Sequence, residues 1–243
     1  MAKLWLTSPR RRVWFAGSAA MVVIGVLAVV SLHEPSNPSA PSAITNAPGS
    51  VEAPDPLTQA RLAAVRRIPN DPLAQGSLTA PVVVAEWGDF QCPLCRAFAM
   101  DTEPALIGEY VDSGRVLFEW HDLAYLGPES VLAARGARAA GRQGRFWQFH
   151  DALFRDQPSE NTGALTKESL TSTARGLGLD LERFARDVDD PAIADAVERD
   201  QQDGARLGIT RVPSFLINGE YLFGPQPVAT FRHAIDNALA QGG

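Results

Sequence analysis

Residues 80–99 read APVVVAEWGDFQCPLCRAFA, and this stretch decides the fold of the chain. Within it, VVVAEW (82–87) is a short apolar run, typical of a strand that is buried on both faces. A helical pattern begins at Cys92, and Pro93 suits the first helical position. A second apolar run, VLFEWH (116–121), comes next. A strand, a helix and another strand predict a β-α-β unit with parallel strands and a right-handed crossover.

The rest of the chain completes an α/β pattern. Pro104 predicts a break in the helix that follows the first strand. Residues from about 124 to 207 show only short helical patterns separated by Gly, Pro or Asn, which predicts a helical insertion. SFLIN (214–218) and EYLF (220–223) meet at an Asn-Gly pair, which is typical of a β-hairpin. With a last amphipathic helix over 226–240, the order β-α-β, insertion, β-β-α predicts one sheet covered by helices.

The N-terminal region has the composition of a membrane anchor. Residues 13–32 carry no charge and, as a helix, are long enough to span a bilayer core. Four basic residues precede this segment and the first acidic residue follows it, so the positive-inside rule places residues 1–12 in the cytoplasm. We expect a single-pass protein of the cell membrane whose folded domain is extracytoplasmic. A cleaved signal peptide is the main alternative, and a twin-arginine export signal at Arg11 and Arg12 is a third.

A tether and a connector are predicted between this segment and the first strand. Residues 33–56 contain six of the 18 prolines of the chain together with many Ser, Ala and Asn residues, a composition that predicts an extended tether. Residues 57–76 are predicted to form a short helix, which ends by Pro69, and a connector. The folded domain is predicted to span residues 77–243.

The charge of the chain argues against binding to nucleic acid. The sequence carries 22 basic and 28 acidic residues, and four of the basic residues belong to the first 33 positions. The remainder therefore has 18 basic and 28 acidic residues, a formal net charge of −10, which would repel a phosphate backbone. We expect no nucleic-acid partner.

The two cysteines of the chain, Cys92 and Cys95, form the motif CPLC. A zinc site needs four ligands, and the histidine nearest to this motif is His121, so the sequence disfavours metal binding. A static disulfide is a further alternative, but closing so short a loop removes little chain entropy and adds little stability. A redox-active pair explains the motif better.

The position of this motif at a helix start predicts different roles for the two cysteines. As N-cap, Cys92 would face the free N–H groups of Leu94 and Cys95 and the positive end of the helix dipole, which favours its thiolate. Residues three apart on a helix are close enough for a disulfide. Cys92 is therefore predicted to be the exposed nucleophile and Cys95 the buried resolving thiol. Leu94 adds no side-chain donor or positive charge, so any further lowering of the Cys92 pKa must come from the two backbone N–H groups.

From about Asn70 to its C-terminus, the chain resembles the DsbA-type thiol-disulfide oxidoreductases of the thioredoxin superfamily, especially the membrane-anchored members of Gram-positive bacteria and actinobacteria. The resemblance is carried by residues 80–99, RFWQFHDALF (145–154) and GITRVPSFLINGEYLFGP (208–225). It implies a thioredoxin fold with a helical insertion between its two halves. It also implies that the redox-active pair Cys92 and Cys95, with no other cofactor, introduces disulfide bonds into unfolded, cysteine-containing exported proteins.

The same resemblance implies roles for three further positions. Glu86 occupies the place of a buried acid beneath the active site, where it would exchange a proton with Cys95. A strand-end carboxylate that reaches solvent is the alternative for this residue. Pro213 occupies the place of a cis-proline opposite the CxxC motif, and Val212 would offer its backbone to an extended substrate strand. The chain departs from the best-known oxidases in having Leu94 where they have histidine.

The resemblance also implies a partner that reoxidises the cysteines, namely a membrane oxidase of the DsbB or vitamin-K-epoxide-reductase type. Within the same fold, an isomerase or a reductase is the alternative activity. Isomerases of this superfamily resemble two-domain dimers, and residues 57–80 are too short for a dimerisation domain, so we expect a monomer. Outside the enzymes, a redox-inert peptide-binding or chaperone-like module and a redox sensor are the alternatives.

The remaining candidate residues are interpreted as structural. Five apolar residues with helical periodicity are interpreted as core: Phe146, Trp147, Phe149, Leu153 and Phe154. His121, His150 and His233 lie in unrelated segments with no common spacing. His121 ends the second strand and is interpreted as a surface histidine whose hydrogen bonds are satisfied.

Overall fold

The computed structural model describes residues 55–242. The predicted membrane span, 13–32, and nearly all of the predicted tether lie outside these residues. Within the described range, no helix combines the length and the apolar character needed to cross a bilayer.

Helix α1, Pro56–Leu62, opens the described part of the chain. Its N-cap is Asp55, whose carboxylate accepts hydrogen bonds from two backbone N–H groups of the first turn. The predicted tether is therefore two residues too long. The helix also ends earlier than its sequence pattern predicts, because the backbone beyond it is hydrogen-bonded to the side chain of Glu119 instead of continuing the helix. There the N–H groups of Arg66 and Arg67 donate to the Glu119 carboxylate, at 3.0 and 2.8 Å.

Within residues 55–242, a five-stranded sheet with the order β1-β3-β2-β4-β5 forms the centre of the fold. Its strands are β1 Ala74–Gly76, β2 Val82–Gly88, β3 Val116–Asp122, β4 Ser214–Ile217 and β5 Glu220–Phe223. β2 and β3 are parallel, and β4 is antiparallel to both β2 and β5, which confirms the predicted β-α-β unit and hairpin. β1 pairs antiparallel with β3. The sequence does not predict β1, because three residues, Ala-Gln-Gly, carry no alternation and depend on their partner strand.

The β4–β5 turn shows why the Asn-Gly pair predicts a hairpin. Asn218 and Gly219 both have positive φ angles, 45° and 86°, as the two central residues of a type I′ turn require. Asn218 also ties the hairpin to β2, because its side-chain oxygen accepts the N–H of Val83 at 2.8 Å.

The crossover from β2 to β3 is broken, as Pro104 predicts. Helix α2 covers Pro93–Asp101, helix α3 covers Glu103–Leu106, and a single π-helical turn, Ile107–Val111, leads to β3. Pro104 has no N–H to donate to the carbonyl group one turn earlier, so the hydrogen-bond ladder of α2 ends there.

Between β3 and β4 every residue is described, and five helices lie there: α4 Pro128–Gly141, α5 Phe146–Arg155, α6 Lys167–Gly176, α7 Leu181–Val188 and α8 Pro191–Arg206. They confirm the predicted helical insertion. Four of the five apolar residues interpreted as core are buried and Trp147 is partly buried. Because α5 contacts α2, the insertion lies beside the helix that carries the two cysteines. The last helix, α9, covers Val228–Ala240.

The two faces of the sheet are covered by different layers. On one face, Val84 packs in a cluster with Phe98 of α2 and residues of α9. Because side chains alternate along a strand, Glu86 points to this same face, beneath α2. On the opposite face Trp87 stacks on His121, with ring centroids 4.1 Å apart.

Candidate active site

A tight turn joins β2 to α2 and fixes the position of Cys92. The Asp89 carboxylate accepts hydrogen bonds from the N–H of Gln91 at 2.8 Å and from the hydroxyl of Ser130 at 2.7 Å. The side-chain amide of Gln157 donates to the carbonyl oxygen of Cys92 at 3.1 Å. These bonds come from three parts of the chain and hold Cys92 as the N-cap of α2.

Cys92 and Cys95 lie one helical turn apart, and both are free thiols in this structure. Pro93 takes the first helical position, as predicted, and both Pro93 and Leu94 are exposed. Cys95 is fully buried, as predicted. Cys92 is also buried, with only 6% of its surface exposed, so the prediction of an exposed nucleophile is wrong. The physical reason is that the loop carrying Val212 covers the start of the helix.

This covering loop contains Val212 and Pro213. The peptide bond between them is cis, as the resemblance implies. The sulfur of Cys92 lies 3.9 Å from the carbonyl oxygen of Val212. The fold thus brings Val212 to Cys92, with Pro213 next to it in the loop, and the part of both residues in substrate binding stays a prediction.

The pKa of Cys92 lies below the usual value of a thiol. The largest cause is the hydrogen bond that the Cys95 thiol donates to the Cys92 sulfur, and the backbone N–H groups of Cys95 and Leu94 add to it. Burial and the Asp89 carboxylate act in the opposite direction. The prediction that further lowering must come from backbone N–H groups alone is therefore wrong, because the second thiol contributes more than they do.

The pKa of Cys95 is shifted in the opposite direction. Burial raises it well above the usual range of a thiol, and the hydrogen bond and charge of Cys92 and the charge of Glu86 raise it further. The motif therefore contains one sulfur that favours the thiolate and one that holds its proton. This difference fits the predicted nucleophile and resolving thiol.

Glu86 is 1% exposed, so the alternative of a solvated strand-end carboxylate is wrong. Neither of its carboxylate oxygens has a hydrogen-bond partner. Burial raises the pKa of Glu86 well above its usual range, and the negative charges of Glu103 and Cys92 raise it further. The negative charge of Glu86 in turn raises the pKa of Cys95. A carboxyl group that keeps its proton beside a buried thiol can act as its proton partner, a role that stays a prediction.

Comparison with known proteins agrees with this geometry. A family model described as Thioredoxin matches residues 69–237. The probable disulfide bond formation protein D of Bacillus cereus is 31% identical over 168 residues, which are 68% of this chain and 77% of that protein. The disulfide bond formation protein D of Bacillus subtilis is 29% identical over 150 residues, which are 60% of this chain and 68% of that protein.

Solved structures match as well. The crystal structure of oxidised BdbD from Bacillus subtilis has a TM-score of 0.65 at 26% identity, and the match covers 70% of this chain and 94% of that one. This chain is a DsbA-type thiol-disulfide oxidoreductase of the thioredoxin superfamily. The crystal structure of α-DsbA1 from Wolbachia pipientis has a TM-score of 0.67 at 22% identity, and the match covers 75% of this chain and 97% of that one. This similarity supports the fold.

Two residues near the site of this DsbA-type oxidoreductase are missed by sequence analysis. Glu103, the first residue of α3, is buried, and burial raises its pKa to about 7. A glutamate directly before the helix break at Pro104, on an otherwise apolar helical face, is the signal that could have indicated it. Tyr125 is half-exposed near Cys92; burial raises the pKa of its phenol, and the charge of Cys92 raises it further.

Two histidines of this oxidoreductase, His121 and His150, are buried. The surface interpretation of His121 is wrong, because the β2–β3 register sets it beside Trp87 and its ring is buried there. Burial lowers the pKa of His121. His150 is also buried, with its Nδ1 3.0 Å from the carboxylate of Asp151. In the part of the chain that the structure describes, no group of three His, Cys, Asp or Glu side chains could hold a metal ion.

Proposed function

We propose that this DsbA-type oxidoreductase introduces disulfide bonds into exported proteins. The observation that carries the proposal is the difference between the two thiols at the start of α2, where the pKa of Cys92 is lowered and the pKa of Cys95 is raised. Stabilisation of the Cys92 thiolate stabilises the reduced pair. A stable reduced pair makes the disulfide form of the protein an oxidant.

The reaction begins with the oxidised pair. A substrate thiolate attacks the sulfur of Cys92, which forms a mixed disulfide and releases Cys95 as a thiolate. Cys95 then takes a proton from the carboxyl group of Glu86. A second substrate thiolate attacks the substrate sulfur of the mixed disulfide and releases Cys92 as a thiolate. The substrate loses two electrons to form its disulfide, and the protein gains them as two reduced sulfurs.

The surface around Cys92 supports an unfolded, cysteine-containing substrate. Leu94 and Tyr125 are 48% and 50% exposed and offer apolar contacts beside the nucleophile. The backbone of Val212 can pair with an extended peptide through hydrogen bonds that need no particular side chain. Such contacts suit many different unfolded proteins.

We also propose the location and the partner that the sequence indicates. Residues 13–32 would anchor a monomer in the cell membrane, with residues 1–12 in the cytoplasm and the folded domain outside. The redox-active pair would be the cofactor-free reaction centre. A membrane oxidase of the DsbB or vitamin-K-epoxide-reductase type would return the pair to its disulfide form after each cycle.

Oxidation of a reduced, unfolded model protein by the full-length chain, purified in mild detergent, tests the activity. We expect one substrate disulfide per oxidised protein, no reaction from Cys92→Ser, and trapped mixed disulfides with Cys95→Ser. Equilibration with glutathione should give a reduction potential above about −200 mV, whereas a value near that of thioredoxin, about −270 mV, would indicate a reductase. Absence of any trapped mixed disulfide would favour the redox-inert binding module.

Protease treatment of intact spheroplasts tests the location. The folded domain should be digested from outside while the protein remains in the membrane fraction. A mature chain that lacks the first 32 residues would show a cleaved signal peptide, and a protected domain would place it on the cytoplasmic side.

A further inference from the structure

Two backbone carbonyl groups beside the nucleophile accept hydrogen bonds from one side chain of the insertion. The side-chain nitrogen of Gln157 lies 2.8 Å from the carbonyl oxygen of Phe90 and 3.1 Å from that of Cys92. A primary amide has two N–H donors, one for each of these oxygens. Phe90 and Cys92 are both buried, so their carbonyl groups depend on partners within the protein. Gln157 thus bridges the turn that leads from β2 into α2.

Gln157 is itself fixed in this place by hydrogen bonds on either side of it. Before it, at the end of α5, the carbonyl oxygen of Phe154 accepts a hydrogen bond from the Nε of Arg96 on α2, at 2.9 Å. After it, the N–H of Asn161 donates to the side-chain oxygen of Gln91 at 2.8 Å. The segment that follows α5 is therefore attached to α2 and to the active-site turn, and Gln157 lies between the two attachments.

The side-chain amide of Gln157 lies close to the sulfur of Cys92. Bond lengths limit the distance between the carbonyl oxygen of a cysteine and its own sulfur to about 5 Å. Since the Gln157 nitrogen lies 3.1 Å from the Cys92 carbonyl oxygen, it lies within about 8 Å of the Cys92 sulfur. At such a distance inside a protein, a charge or a dipole changes the free energy of a thiolate. The side chain at position 157 can therefore act on the reduced pair.

The effect of this bridge differs between the two redox states. A carbonyl oxygen carries a partial negative charge, which repels the charge of a neighbouring thiolate. Two N–H groups that donate to these oxygens offset the repulsion and bring positive partial charge to the turn. The oxidised pair has no charge on its sulfurs, so the bridge stabilises the reduced pair more than the disulfide. Its action opposes that of the Asp89 carboxylate, whose charge disfavours the Cys92 thiolate.

We propose that Gln157 is a positioning residue for thiol-disulfide exchange, which holds the peptide groups around Cys92 and stabilises the reduced pair through its side-chain amide. Gln157 lies in the insertion, 65 positions after Cys92, so the insertion sets part of the oxidising power of the site. The proposal rests on the proposed function, because a more stable reduced pair makes the disulfide a stronger oxidant.

Gln157→Glu tests the proposal, because it replaces the amide nitrogen by oxygen at nearly unchanged volume. The ionised carboxyl group donates to neither carbonyl oxygen and adds a negative charge near the sulfur. The full-length chain, in mild detergent, is equilibrated with glutathione at about pH 7.5. We expect the reduced pair to be disfavoured about tenfold relative to the wild type, which corresponds to a reduction potential about 30 mV lower. Thiolate absorbance against pH should show a higher Cys92 pKa in the variant.

Two further variants separate this effect from a general effect of structure or charge. Gln157→Met removes the donors without adding a charge and should disfavour the reduced pair about threefold. Gln143→Glu is the matched control, since the Gln143 amide also donates to a backbone carbonyl group, that of Asp180, at 3.2 Å. Gln143 follows the end of α4 that lies about 20 Å from the end bonded to Asp89, so this variant should keep the wild-type equilibrium.

Urea unfolding of the same variants shows whether Gln157 has only a structural role. If Gln157→Glu and Gln157→Met lost stability but kept the wild-type equilibrium with glutathione, Gln157 would merely hold the loop and the proposal would be overturned.

Nuclear magnetic resonance of the wild type tests the proposal even if the Gln157 variants do not fold. The side-chain amide resonances of Gln157 should move when the Cys92–Cys95 disulfide is reduced and again as Cys92 titrates, whereas those of Gln143 should not. Resonances of Gln157 that ignore both changes would overturn the proposal. A wild-type pair with the reduction potential of a reductase would instead overturn the proposed function, and the difference between the wild type and Gln157→Glu would still decide the role of Gln157.

Discussion

The sulfur of Cys92 lies 3.9 Å from the carbonyl oxygen of Val212, a residue of the loop that precedes β4. This contact leaves a small part of Cys92 accessible, whereas Cys95 is closed off completely. The two sulfurs also differ in pKa, which is lowered for Cys92 and raised for Cys95. Accessibility and acidity therefore favour the same atom for attack.

Alkylation of the reduced protein should distinguish the two cysteines. We expect iodoacetamide at neutral pH to modify Cys92 at least about tenfold faster than Cys95, because the thiolate is the reactive form and only the Cys92 sulfur can be reached. Peptide mapping by mass spectrometry measures both rates. Modification mainly at Cys95 would contradict the assignment of nucleophile and resolving thiol.

Leu94 limits how far the Cys92 thiolate is stabilised. Its side chain has no hydrogen-bond donor, so we expect Leu94→His to lower the Cys92 pKa further through a charge-assisted hydrogen bond. Such a bond contributes about 1.5–3 kcal/mol, which corresponds to a reduction potential about 30–60 mV higher. Thiolate absorbance against pH and equilibration with glutathione measure the two effects.

The same substitution at a second exposed leucine is the control for Leu94→His. Leu78 lies before β2, at the opposite end of that strand from Cys92, and Leu78→His should change neither quantity. An unchanged or higher Cys92 pKa in Leu94→His would show that the side chain at this position does not reach the thiolate.

The parts of the fold that the sequence predicts are those with local signals. The Asn-Gly turn, the proline at the helix start and the apolar run of β2 each constrain the backbone through their own residues or near neighbours. β1 lacks such a signal, because Ala74–Gly76 becomes a strand only by pairing with β3. A pairing of this kind depends on the assembled sheet.

In the active site, too, the features with local sequence signals are predicted and those that depend on distant residues are not. Spacing alone predicts that Cys92 and Cys95 share a helix start, but the cover over Cys92 comes from a loop about 120 residues later. Glu103 and His121 are likewise buried by elements distant in sequence, so their environment cannot be inferred from their neighbours. The burial of Glu86 was implied by the family resemblance, since a lone glutamate in a strand is equally compatible with a solvated end.

Glu86→Gln should become more stable than the wild type as the pH rises. In the unfolded chain Glu86 ionises at its usual pKa, whereas in the folded domain it keeps its proton to higher pH. Folding therefore takes up a proton between these two pH values, and the wild type loses stability as the pH rises through this range. The two proteins should be alike at about pH 4, and the variant should be more stable by at least about 1 kcal/mol at about pH 8.

Urea unfolding at the two pH values measures this difference, and oxidation of a model peptide by the same variant should be slower. Glu220→Gln, which neutralises an exposed carboxylate on β5, is the matched control and should show neither effect. If Glu86→Gln changed neither stability nor the pH profile, the proton-transfer role of Glu86 would have to be abandoned.

Arg138 on α4 forms ion pairs with two buried carboxylates. Its removal should cost more folding stability than removal of a solvent-exposed arginine. Its guanidinium pairs with Asp122 and Asp200, each at 2.5 Å, and its side chain is 12% exposed. Arg142, one turn later, also pairs with two carboxylates but is 35% exposed. Arg138→Met should lower the free energy of unfolding by about 3–5 kcal/mol, because it leaves the Asp122 carboxylate buried without a counterion, whereas Asp200 keeps its ion pair with Arg66.

Arg142→Met is the matched control for Arg138→Met and should cost at most about 1 kcal/mol, since its partners are better solvated. The cost of Arg138→Met should also depend on pH. Burial already raises the pKa of Asp122, and loss of the guanidinium would raise it further, so this carboxyl group would keep its proton to higher pH in the folded variant. The variant should therefore be less impaired at about pH 5 than at about pH 8. Urea unfolding followed by tryptophan fluorescence measures the free energy of unfolding of both variants. Equal losses of stability for Arg138→Met and Arg142→Met would show that the Asp122–Arg138–Asp200 group is solvated and adds little to stability.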